Sequence, residues 1–248
     1  MTRGARVIAA ALLVVGLPAA HAPAQGSCPP PSLSLTVHRL PHLAAALRPG
    51  RTLDVLALGS ASLLGPQGGT AGSVPDDMVQ ALRARVPGAA IRLTLRADRA
   101  QSAEEMLDAL RRELAAHRFQ LVLWQTGTVE ALRGLPAEPF RRTLAAGIAA
   151  AAASGADLVL IDMQFSRLLD RHADLAPYRA AMTEMAMQPG VMLFPRYALM
   201  RGWSESGAID LEASAPRDHR QTLARLRACL GAVLADQIGD AAADEPPS

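Results

Sequence analysis

Two hydroxyls pose the first chemical question. In the stretch Ala57 to Gly65, ALGSASLLG, an apolar run ends in small residues, with Ser60 and Ser62 on either side of Ala61. A turn of this kind after a first parallel strand is a place for a nucleophile, and a serine there needs a general base within hydrogen-bond reach to become reactive. Late in the chain, APRDHRQ offers His219 beside Asp218. Two further apolar runs end in polar residues, Gln125 in LWQTG and Asp162 in LIDMQ. Either side chain could hold a ligand at the edge of a cleft, although an Asp in such a place more commonly caps a loop or helix. Asp170, His172 and Asp174 in DRHAD alternate as metal ligands could, but this pattern before a helix is that of a solvated loop, and no metal or cofactor is expected. The methionines Met182, Met185, Met187, Met192 and Met200 read as core filling rather than as a soft binding surface.

The elements that must position these groups are legible as alternating patterns. Apolar runs TLDVLALG, AAIRLTL, FQLVLWQTG, ADLVLIDMQ and GVMLF read as strands. Between them, DDMVQALRARV, SAEEMLDALRREL, EPFRRTLAAGIAAAAASG and DLAPYRAAMTEMAMQ carry helical spacing, and RQTLARLRACLGAVLADQI forms a last amphipathic helix. Strands that are apolar throughout, joined by helices, require a parallel sheet covered on both faces. The fold class is therefore α/β, a three-layer α/β/α sandwich on a parallel, flavodoxin-like five-stranded sheet. Ligands are expected at the C-terminal ends of its strands.

Composition bounds the rest. At 248 residues, half of them hydrophobic, the chain suits a single core, and with 3% aromatics that core rests on Ala, Leu, Val and Met. A formal net charge of +2 without a basic block argues against nucleic acid as a partner. Residues 1–24 carry Arg3 and Arg6, the apolar VIAAALLVVGL and an Ala-x-Ala site at Ala22-Pro23-Ala24, the pattern of a cleaved signal peptide. An uncleaved anchor is the alternative, but the run falls short of the roughly 20 residues a spanning helix needs. Export implies a periplasmic or secreted protein with no stable membrane insertion after cleavage. Residues 25–50 form a Pro-rich arm, 51–239 the domain and 240–248 a disordered tail. In an oxidising compartment Cys28 and Cys229 can form a disulfide that staples the arm to the last helix; two unpaired buried thiols are the alternative.

The blocks LALGSAS, AQSAEEML, LVLWQTGT, VLIDMQFS, FPRYALMRGW and APRDHRQTLARLRACL, in this order, resemble the GDSL-type (SGNH) hydrolases over Thr52 to Ile238. The chain is most similar to a secreted bacterial subgroup whose first block reads Gly-Ser-Ser-Ser-Thr. The resemblance implies a serine nucleophile two positions after the first-block Gly, which here falls on Ala61. It implies an oxyanion-hole Gly at Ala100 and a donor Asn at Val129, with the accompanying Gly127 kept. In the last block, Asp218 stands for the Asp and Gln221 for the His that serves as base. Gln cannot take a proton near neutral pH. If His219 were the base instead, its partner three residues earlier would be Pro216. The resemblance thus implies a degenerate member, a binding or accessory protein of the cell envelope, with an acylated glycan or other small ester-like ligand or an envelope protein as partner. The alternative is an esterase with a relocated Ser60 or Ser62 nucleophile and His219 as base.

Overall fold

The computed structural model describes residues 28–243 apart from 32 and 213–214. The expected signal peptide therefore lies outside the described residues. Five strands, β1 (Thr52–Ser60), β2 (Ala90–Asp98), β3 (Leu121–Gln125), β4 (Asp157–Ile161) and β5 (Val191–Phe194), form one sheet in the order β2-β1-β3-β4-β5. Every pairing is parallel. This is the flavodoxin-like order expected, with β1 next to β3 at the point where the winding reverses direction. β3 and β4 are buried at every position, which is why LVLWQ and DLVLI show no polar alternation. β2 lies at an edge and alternates, and its outward Arg92 pairs with Asp54 of β1 at 2.5 Å.

Nine helices are described: α1 (Pro41–Ala46), α2 (Val74–Arg85), α3 (Ala103–Ala116), α4 (Thr128–Arg133), α5 (Ala137–Ser154), α6 (Arg167–His172), α7 (Ala176–Met185), α8 (Arg196–Glu205) and α9 (Pro216–Ala242). α2 packs against α9, while α3, α5 and α7 pack in a row, so each face of the sheet is covered. Helix starts are written in the sequence. Ser73 accepts from the Asp76 N–H, and Ser102 and Glu105 form a reciprocal capping box at α3. α5 comes close to the sheet at Gly147, where a Cβ would stand 2.2 Å from Cζ3 of the buried Trp124.

Three expectations need correction. The arm expected over residues 25–50 reaches into the core where it is described, because Leu40 and Leu43 are fully buried and Asp157 of β4 accepts from the Leu43 N–H at 2.8 Å. Gln237 of α9 bridges the arm to the sheet, donating to Thr36 O at 2.8 Å and Leu193 O at 3.0 Å. The last helix is longer than its apolar pattern suggests. It begins at Pro216, a residue suited to a first helical turn, so Asp218 and His219 are helical rather than in a loop. It also runs to Ala242, past the boundary placed at residue 239, because Ala241 is buried and its carbonyl accepts from the Leu40 N–H at 3.2 Å. The disulfide between Cys28 and Cys229 is formed, with Cα atoms 5.3 Å apart.

Candidate functional site

The site grows from the end of β1. After Ser60 the chain enters a single 3-10 turn over Ala61–Leu63. Gly59 is required just before it, because a Cβ there would stand 2.8 Å from Leu63 and 2.9 Å from Gln125 Oε1. Gln125, buried at the end of neighbouring β3, reaches across to this turn. Its Oε1 accepts from the Ser60 N–H at 3.0 Å, from the Ser60 hydroxyl at 3.0 Å and, at a long 3.4 Å, from the Ser62 hydroxyl. The two hydroxyls are 3.1 Å apart, and Arg196 Nη1, on the first residue of α8, donates to Ser62 Oγ at 3.2 Å. An amide carbonyl, a hydroxyl and a guanidinium are thus the bonding partners of these serines. None of them takes a proton at neutral pH.

A cavity of about 700 Å³ opens over this turn. Ala61, Ser62, Arg196 and His219 all line it, together with leucines of α9. Ala100, Gly127, Val129, Asp218 and Gln221 do not. At 3.6 residues per turn, positions 219 and 221 are about 200° apart around α9, so only one of them can face the cavity, and that one is His219. His219 makes no side-chain hydrogen bond to either serine, and it is solvent-exposed, as are Asp218 and Gln221.

The other positions implied by the resemblance keep parts of their backbone geometry. Ala100 has φ of 57°, the left-handed region a glycine enters freely and an alanine enters at a cost of roughly 1–2 kcal/mol. Its carbonyl accepts from Arg133 Nη2 at 3.3 Å. Gly127, with φ of 95°, caps α4, and a Cβ on it would meet Met163 at 2.7 Å. Val129 is half-buried on α4.

Asp162 follows β4 and is committed to structure. Its Oδ1 accepts from the Tyr197 N–H at 2.7 Å and its Oδ2 faces Arg179 Nε at 3.3 Å. Arg179 stacks on the Tyr197 ring at 4.1 Å, and the Tyr197 hydroxyl donates to Asp170 at 2.7 Å. Burial raises the Asp162 carboxyl to about 6, outweighing the Tyr197 N–H, the Arg179 charge and the more distant Arg196 charge, all of which act to lower it. Burial likewise pushes the Arg196 guanidinium down to about 10, partly offset by the Asp162 charge. In DRHAD, Asp170 holds Tyr197, His172 Nδ1 bonds Leu168 O and Asp174 accepts from the Ala176 N–H, so each polar group has a local structural partner. Met182, Met192 and Met200 are core residues, whereas Met187 departs from the expectation and is exposed.

Sequence reasoning did not single out Arg196 or Arg179. No local pattern marks an arginine for burial. The one available cue was the position of Arg196 two residues after β5, at the sheet end where clefts form.

The fold is the one seen in SGNH hydrolases, as similar solved structures show. A variant of an acetyl xylan esterase from Geobacillus stearothermophilus superposes with a TM-score of 0.60 at 12% identity, over 77% of this chain and 96% of that one. The psychrotrophic esterase EstA from a Pseudoalteromonas species gives 0.53 at 15% identity, over 76% and 95%. AlinE4, an SGNH-hydrolase family esterase, gives 0.53 at 17% identity, over 68% and 88%. The chain belongs to the non-GDSL lipase-like family, whose model matches residues 27–244. No curated protein matches it.

Proposed function

We propose that this chain is an exported, non-catalytic member of its family that binds an acylated ligand in the cavity over the β1 turn, as a binding or accessory protein of the cell envelope. The observation that carries the reading is the bonding of the β1 turn. The residue implied as nucleophile is Ala61, and among the described residues the flanking hydroxyls bond to Gln125, to each other and to Arg196. A serine without an adjacent proton acceptor stays weakly nucleophilic. Export is supported by the signal-like pattern of residues 1–24 and is in keeping with a disulfide, which persists in oxidising compartments.

One observation favours a second reading, an esterase with a relocated nucleophile: Ser62 and His219 line the same cavity. Hydrolysis of p-nitrophenyl acetate and p-nitrophenyl decanoate by the wild-type chain, by S60A, by S62A and by H219A separates the two. The binding-protein reading expects all four proteins to sit at one background rate. A rate that falls at least tenfold in S62A and H219A would establish the esterase.

A further inference from the structure

We infer that the cavity over the β1 turn takes an aliphatic carboxylate, its head group held by Arg196 beside Ser62 and its chain laid along the leucines of α9. This deepens the proposed function and rests on its reading of the cavity as a binding site.

Arg196 is 4% exposed, and its hydrogen-bond partners are neutral: Ser62 Oγ at 3.2 Å and Gln164 Oε1 at 3.4 Å. Its Nε, fully buried, has no partner among the described residues. The charge that acts on it is that of Asp162, and both oxygens of that carboxylate are already used, by Tyr197 and Arg179. A buried cation without a contact anion is costly, and removing that cost is worth more here than at a surface.

The rest of the lining says which anion would fit. Arg220 and Arg227 bring positive charge to the cavity against Glu212 of the lining, while Asp77 outside the lining partly balances Arg227. The remaining wall is largely aliphatic, with Leu64, Val74, Met200, Leu223 and Leu230 among its residues. A small hydrophilic anion would leave that wall unpaired, and an uncharged lipid would leave Arg196 as it stands. An amphiphile satisfies both, and a planar carboxylate matches the guanidinium fork. The volume, about 700 Å³, lies in the range of small-molecule sites.

Titration calorimetry of the disulfide-bonded protein with decanoate, 1-decanol and decyl phosphate, each below its aggregation limit, tests this without any variant. Decanoate is expected to bind roughly ten- to a hundredfold more tightly than 1-decanol, the scale of a hydrogen bond to a charged group. Arg196→Met should bring the two to the same affinity. Equal affinities in the wild-type protein, binding of neither, or tighter binding of decyl phosphate than of decanoate would each overturn the assignment. Turnover of p-nitrophenyl decanoate, measured in parallel, separates this failure from that of the non-catalytic reading. Turnover with selective decanoate binding sinks only the latter, and no turnover with no decanoate binding sinks only the former.

Discussion

At the scale of single residues, the electrostatics of the site centre on Asp162. In the folded chain burial holds its carboxyl near 6, above the usual carboxylate range. Between about pH 4 and pH 6 the folded state therefore keeps a proton that the unfolded state has released, so this group's contribution to stability falls as pH rises through that window. Asp162→Asn is expected to flatten that slope, as measured by urea unfolding at several pH values from 4 to 7. An unchanged slope would mean that the carboxyl is ionised throughout. Ala100 offers a second residue-scale expectation. Because it sits at φ of 57°, Ala100→Gly removes the left-handed penalty at some cost in unfolded-state entropy, and it should leave stability unchanged or raised by up to about 1 kcal/mol. A loss of more than that would show that the alanine methyl makes a contact of its own.

At the scale of elements, the closest fit is that of α5 on β3. Gly147 lets the helix approach the ring of Trp124, and a methyl there would stand 2.2 Å from it. Gly147→Ala gains about 1 kcal/mol of helix propensity but overpacks a fully buried ring, which costs typically 1–3 kcal/mol and more when nothing can move. Net destabilisation of about 1–2 kcal/mol is expected by denaturant unfolding, and a stabilised variant would contradict this packing. The elements themselves were legible in the sequence to the extent that they announce themselves by period. The five strands and the helices α2, α3, α5 and α7 stand where uninterrupted apolar runs and helical spacing put them. What was not legible was α1, α4 and α6, each too short to show a period, so that Asp170 and His172 lie on α6 rather than in the expected loop, and α8, whose RYALMRGWSE mixes a buried Arg196 into its apolar face. The start of α9 was missed for a similar reason: PRDH is exposed and polar, and only its proline hints at a first turn.

At the scale of the whole molecule, the described part of the arm and the end of α9, which look peripheral in the sequence, are structural. The arm is tied to the last helix by Cys28–Cys229, to α8 by Trp203 Nε1 donating to Pro30 O at 3.2 Å, and to β5 through Gln237. With the two cysteines 201 positions apart in sequence, the bond is worth roughly 5 kcal/mol on the chain-entropy account. Reduction, or the paired variant C28S/C229S, should lower unfolding stability by about 2–5 kcal/mol, and indifference to reductant would show that the arm is held by burial alone. The site was legible in a different measure from the fold. Ser60, Ser62, Ala61 and Gln125 could be placed because they end strands, whose neighbours in a parallel sheet are predictable. The positions on α9 could not, because the apolar pattern starts the helix at Arg220 and leaves His219 outside it, whereas the helix from Pro216 carries both residues about 200° apart and turns His219 to the cavity.

The central claim is that the β1 turn holds no activated nucleophile. Intact-mass analysis of the disulfide-bonded protein after treatment with a fluorophosphonate, with any adduct mapped to its residue, tests this most directly. An unmodified protein is expected. A stoichiometric adduct on Ser60 or Ser62 would contradict it and make the cavity an ester-hydrolysing site.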